Sequence, residues 1–127
     1  MGAYAFLAVG VGAAFGAWLR WWLGLTLNPV FPTLPLGTLA VNLLGGYLIG
    51  VAIAYFGHHA SLPAESRLFV ITGFLGALTT FSTFSAEVMT LILRQQFVWA
   101  FAAASVHLLG SLSMTALGIW TVKLIKA

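Results

Sequence analysis

The 127-residue sequence has no cysteine, no aspartate and very little charge of either sign. Without cysteine there can be no disulfide, no thiolate nucleophile and no Cys-ligated metal. Charged residues are 6% of the chain, five Lys or Arg and two Glu, whereas a soluble domain carries about 25%. So few charges cannot cover a soluble surface. With 61% hydrophobic residues and a mean hydropathy of +1.07, the chain reads as an integral membrane protein. A formal charge of +3, scattered along the sequence, leaves no footprint for a nucleic-acid partner. The opening stretch MGAYAFLAVGVGAAFGAWLR lacks a basic n-region and is not read as a cleaved signal peptide. Gly2 does not fit the myristoylation pattern, because Phe6 stands where Ser or Thr is needed.

What is present is four apolar stretches separated by three polar breaks. NPVFPTLP at 28–35 holds three of the four prolines, GHHASLPA at 57–64 holds the fourth, and RQQ at 94–96 is the third break. The breaks delimit spans at 3–27, 36–56, 67–94 and 97–123, each long enough for a hydrocarbon core of about 30 Å. Trp18, Trp21, Trp22, Trp99 and Trp120 lie near span ends, where aromatic belts form. Gly12 and Gly16, then Gly46 and Gly50, repeat at the four-residue spacing that lets helix backbones approach closely in lipid.

The third span is anomalous. Leu68 to Leu93 would make a continuous helix roughly 39 Å long, too long for the core without a tilt or a break. Thr72-Gly73 and Gly76 are the expected place for a break, and freed carbonyls there could hold a cation. Charge across the membrane is also ambiguous. One side would receive Arg67, Lys123 and Lys126, the other Arg20 and Arg94, which gives the positive-inside rule little to act on. Dual insertion and an antiparallel dimer follow as expectations.

Helical spacing aligns the buried polar residues into stripes: Thr38 and Asn42 in span 2; Thr80, Thr83 and Glu87 in span 3 with Phe84 beside them; His107, Ser111 and Thr115 in span 4. Single hydroxyls in membrane helices often bond their own i−4 carbonyl, but three stripes in four spans suggest a polar path. The segment TTFSTFS at 79–85 concentrates five hydroxyls with Phe81 and Phe84. Hydroxyl and amide donors can replace the water around a small anion, and phenyl edges carry partial positive charge. Arg20 would attract an anion toward a mouth. Glu87 must be bonded away from such a path or protonated. No acid pairs with it for acid–base chemistry, and His58-His59 has no ligand partner nearby, so no enzymatic activity is expected. A proton-coupled drug exporter would need an acid in span 1, which is missing. A non-transporting subunit, its stripes serving only helix contacts, is the other alternative.

The segments GVGAAFGAWLRW, GTLAVNLLGGYLIG, GFLGALTTFSTFSAE and HLLGSLSMTALG together resemble the CrcB/Fluc family of small fluoride channels. The resemblance covers nearly the whole chain. It implies an all-α membrane protein: one domain over 1–127, four transmembrane helices per protomer, and the third helix broken mid-membrane. It further implies an antiparallel, dual-topology homodimer whose two pores passively export fluoride across a bacterial plasma (inner) membrane. On the same ground Asn42, Phe81, Ser82, Thr83, Phe84, Ser85, Glu87, Ser111 and Thr115 would line the fluoride pore and Arg20 a vestibule. Gly76 and Thr79 would hold a structural sodium ion at the dimer centre through their carbonyls. One departure is that relatives often read glycine–cysteine–glycine–glycine where this chain has Gly73-Phe74-Leu75-Gly76-Ala77-Leu78.

Overall fold

The computed structural model describes residues 2–126, which contain no strands and four helical spans long and apolar enough to cross a membrane. The first is α1 (Ala3–Leu27), which tightens into a 3₁₀ turn at Asn28–Val30, and the second is α2 (Leu36–His58). The third consists of α3 (Ala64–Arg67), a π-helical stretch Leu68–Leu75, α4 (Gly76–Leu78) and, after two extended residues, α5 (Phe81–Leu93). The fourth is α6 (Phe97–Lys126). These limits lie within a few residues of the spans set by the polar breaks. Pro35 and Pro63 immediately precede α2 and α3, where the missing N–H costs nothing.

Glycine sets which helices touch. On α1, a Cβ at Gly12 or Gly16 would run into the carbonyl of Phe69 or Phe74, so α1 lies tightly along the first half of the third span. On the other flank, a Cβ at Gly46 would sit 2.9 Å from Ser111 O, and one at Gly118 would sit 2.9 Å from Val51 N, so α2 and α6 pack backbone to backbone. The glycine pairs seen in the sequence are packing devices, as small residues between membrane helices are. A three-residue turn, Arg94–Gln96, folds α6 back against α5. In that turn Gln96 N–H donates to Leu91 O at 2.8 Å and Gln95 N–H to Ile92 O at 2.9 Å, with Gln95 at φ 60°. All five tryptophans are exposed.

The third span departs from helix at a different place from the one the glycines suggested. Thr72, Gly73 and Gly76 are all helical, and the extended residues are Thr79 (φ −84°, ψ 157°) and Thr80 (φ −148°, ψ 117°). Gly73 is used for approach, not bending: it is buried, and a Cβ there would meet Val9 O at 2.7 Å. Thr79 N–H still closes the last turn onto Leu75 O at 3.1 Å. Thr80 N–H then turns to another partner, and the Thr80 hydroxyl accepts from Thr83 N–H at 3.1 Å to cap α5.

Candidate functional site

That other partner is Asn42. Its Oδ1 accepts from Thr80 N–H at 2.8 Å, and its Nδ2 donates to Thr80 O at 3.1 Å, so one side-chain amide pairs with both polar groups of an extended residue. Backbone outside a helix must find such partners in a membrane interior. The orientation of the amide follows, since a peptide N–H needs an oxygen and a peptide carbonyl needs an N–H. The remaining Nδ2 hydrogen points to His107 Nδ1 at 3.1 Å. Asn42 therefore joins α2, the α4–α5 junction and α6, and its donors are fully engaged within the chain. The family resemblance implied a pore-lining donor here; Asn42 lines the cavity described next and has Thr80 and His107 as its partners.

Around this junction lies a cavity of about 450 Å³. Its polar lining is Asn42, Thr79, Thr80, His107, Ser111 and Thr115, its aromatic lining is Phe81 and Phe84, and no charged residue takes part. Phe84 stacks obliquely between its neighbours, 4.6 Å from the His107 ring and 5.5 Å from that of Phe81. Phe81 is 79% exposed, so one side of the cavity is bounded by an open face of the chain. Gly76 also lines the cavity.

Thr80 is shared with a second hollow of about 290 Å³, lined by Arg20, Asn28, Thr38 and Thr83 among others. Thr83 is shared in turn with a third, of about 460 Å³, lined by Glu87, Thr90 and Arg94. The three hollows thus adjoin through two threonines. Arg20 Nε donates to Ala77 O at 2.9 Å, stabilising a carbonyl at the C-terminal end of α4. Glu87 Oε2 accepts from the buried Thr38 hydroxyl at 2.6 Å, which ties α5 to the first turn of α2. Thr38 is placed by Asn28, whose Oδ1 accepts from Gly37 N–H at 2.8 Å and Thr38 N–H at 3.1 Å.

Several of the expected site residues have partners within the chain. Thr115 Oγ1 lies 2.8 Å from Gly46 O and 3.0 Å from Ser111 O, and Thr79 Oγ1 donates to Leu75 O at 2.9 Å. Ser111 and Thr115 do line the central cavity. Ser82 is exposed and near only the Thr80 hydroxyl, at 3.4 Å, and Ser85 is half-buried on α5; neither lines that cavity. Asn28 was not singled out from sequence. The signal was there: α2 begins after Pro35, which brings no capping side chain, so its first N–H groups required an outside acceptor. His107 was seen as part of a stripe without a role of its own. Among the described residues no group of His and Glu is placed to hold a metal ion.

Comparison with known proteins decides the family. The family model described as CrcB-like protein, Camphor Resistance (CrcB), matches residues 7–119. The chain belongs to the CrcB family. Among its relatives, a protein of Nitrosospira multiformis named fluoride-specific ion channel FluC is 70% identical over 123 residues, covering 97% of this chain and 96% of the relative. Proteins of the same name from Burkholderia cenocepacia and Burkholderia ambifaria are 62% and 60% identical over 120 residues, covering 94% of each chain. The motif segments noted in the sequence fall within the matched region.

Proposed function

We propose that this CrcB-family chain is a fluoride-selective channel that lets fluoride leave the cytoplasm passively through the plasma (inner) membrane of a bacterium. The observation that carries the reading is the high identity, over nearly the full length of both chains, to proteins named fluoride-specific ion channels. The geometry supports a small anion as the solute. Three adjoining hollows run past hydroxyl, amide and imidazole groups, and the central one holds no carboxylate to repel an anion and no cation to trap it. Arg20 in the second hollow, which holds no acid, supplies attraction on the way in. Phe81 and Phe84 offer ring edges to the ion, Ser111 offers a hydroxyl beside them in the central cavity, and Thr83 offers one in the two outer hollows.

The working form is an antiparallel, dual-topology homodimer with two pores. Its support is the near-even distribution of Arg and Lys between the two sides, together with the open face next to Phe81. Thr79, Ser111 and the Gly76 backbone lie in the cavity bounded by that face. Polar groups bordering hydrocarbon are costly, and a second copy removes them from lipid. The extended pair Thr79 and Thr80 then lies at membrane depth as a break in the third helix. A structural sodium ion fits the same place. Hard cations take oxygen ligands, and Thr80 N–H, which would close the next turn onto Gly76 O, goes to Asn42 instead. The carbonyls of Gly76 and Thr79 would hold the ion, which would supply positive charge that fixes the two copies together.

The test is flux. Purified protein in potassium-loaded liposomes should release fluoride when a potassium ionophore is added, with little chloride release. Well-reconstituted protein that releases no fluoride would refute the reading.

A further inference from the structure

We infer that His107 is a positioning residue for conduction: as an uncharged imidazole it holds the Asn42 amide, and through Asn42 the extended Thr80 peptide, in the conducting arrangement. The inference rests on the fluoride-channel reading and adds a residue and a condition to it.

The chain of constraint begins at the Thr80 peptide. Because Thr80 N–H and O fix Asn42 Oδ1 and Nδ2, the group that Asn42 turns toward His107 is a donor. His107 Nδ1 must then accept, and the ring proton sits on Nε2. A doubly protonated ring would face the Asn42 NH₂ with a second N–H at the same 3.1 Å separation. Two donors cannot bond each other, so the amide would have to rotate. Rotation puts Nδ2 against Thr80 N–H and Oδ1 against Thr80 O, and both bonds to the extended residue fail together. His107 is only 4% exposed, and its Nε2 has no partner among the described residues. The ring is thus held by one hydrogen bond and by its stacking on Phe84 at 4.6 Å.

The titratable groups on the elements packed against α6 are already engaged or lie elsewhere along the helices. On α5, Glu87 is bonded to Thr38. On α2, Tyr47 donates to Thr121 at 3.1 Å, Tyr55 stacks on His59, and His58 stands in the last turn. On α6 itself, Lys123 and Lys126 belong to the last turn. Arg20, on α1 beside the third span, is bonded to Ala77 O. None of these is hydrogen-bonded to His107, so the Asn42 contact is the one that protonation disrupts.

Two variants separate this role from simple packing. His107→Asn can place an amide oxygen where Nδ1 stood but cannot take up a proton. His107→Phe keeps an aromatic ring against Phe84 and offers no acceptor. Initial fluoride efflux is measured from liposomes between about pH 8 and about pH 4.5, a range that extends well below the ordinary imidazole value of about 6.5. Protein-free liposomes correct for undissociated acid crossing bare lipid. Wild-type flux near pH 8 tests the channel reading by itself. The expected pattern is roughly tenfold lower flux for His107→Phe at every pH, as loss of one buried polar partner implies. His107→Asn should conduct near the wild-type rate at pH 8 and lose less flux than wild type on acidification. The inference is overturned if His107→Phe conducts like wild type, if His107→Asn falls as far as His107→Phe, or if wild type and His107→Asn share one pH profile. Should His107→Phe fail to fold, the comparison of wild type with His107→Asn decides the matter.

Discussion

Replacing Asn42 with Asp changes one atom of its side chain's polar end and tests most of the site at once. The introduced carboxylate would still offer an oxygen to Thr80 N–H, now at 2.8 Å, but would lose the NH₂ that serves Thr80 O and His107 Nδ1, each at 3.1 Å. The lost bond to Thr80 O costs about 1 kcal/mol, and that carbonyl left without a donor adds about 1–3 kcal/mol. His107, its Nε2 unpartnered, can carry its proton on Nδ1 and donate to the new carboxylate. The charge acts separately. A carboxylate about 6 Å from a passing anion raises its energy by about 3 kcal/mol at an effective dielectric of about 20, which is about a hundredfold in rate. The expected result is fluoride efflux from liposomes slowed by about a hundredfold or more, with a lowered melting temperature in detergent. Asn42→Leu separates the two terms: it carries no charge, yet leaves both polar groups of Thr80 unpaired. It should therefore melt below Asn42→Asp while sparing the anion the Coulomb barrier. If Asn42→Asp conducts and melts like wild type, Asn42 is neither near the ion nor holding the extended backbone.

Two further predictions concern the scaffold. Gly118→Ala forces a Cβ against the Tyr47 carbonyl and to 2.9 Å from Val51 N, so it should destabilise by about 1–3 kcal/mol, whereas Gly57→Ala, with nothing within 4 Å, should change stability by less than about 1 kcal/mol; thermal melts of the two in one detergent make the comparison. Gln95 occupies a left-handed position, φ 60°, where glycine is the usual residue, so Gln95→Gly should raise stability by about 1 kcal/mol and leave fluoride flux unchanged.

The spans were legible in the sequence because hydropathy and proline act locally: Pro29, Pro32, Pro35 and Pro63 and the RQQ break bound the helices wherever the rest of the chain goes. The polar stripes were legible for a similar reason, since i, i+4 spacing alone puts Thr38 with Asn42 and His107 with Ser111. Which stripe residue meets which was not legible. That depends on helix rotation and depth, and it makes Asn42 a backbone partner, Glu87 a partner of Thr38, and Asn28 the acceptor for the start of α2. The position of the extended residues failed to show for the same reason. Glycine marks where a helix can bend, and at Gly73 that freedom serves contact with α1. The helix ends before Thr79, and a side chain 38 positions before Thr80 takes up the N–H that would have continued it.

Glu87 posed the main objection to an anion path, and its surroundings answer it. The Thr38 hydroxyl donates to one of its oxygens at 2.6 Å, and Arg94 lines the same hollow as Glu87. The carboxylate is thus bonded within its own compartment, and it takes no part in the lining around Asn42. Arg20, in the adjoining hollow, has Nε committed to Ala77 O, which holds the guanidinium at the end of α4 while its charge still acts over distance. In the proposed path the charged groups therefore border the hollows that precede the central cavity, and the cavity itself works with neutral donors and ring edges. That order suits conduction. Charge outside raises the local concentration of the anion, and neutral donors inside replace part of its water without binding it so firmly that it cannot leave.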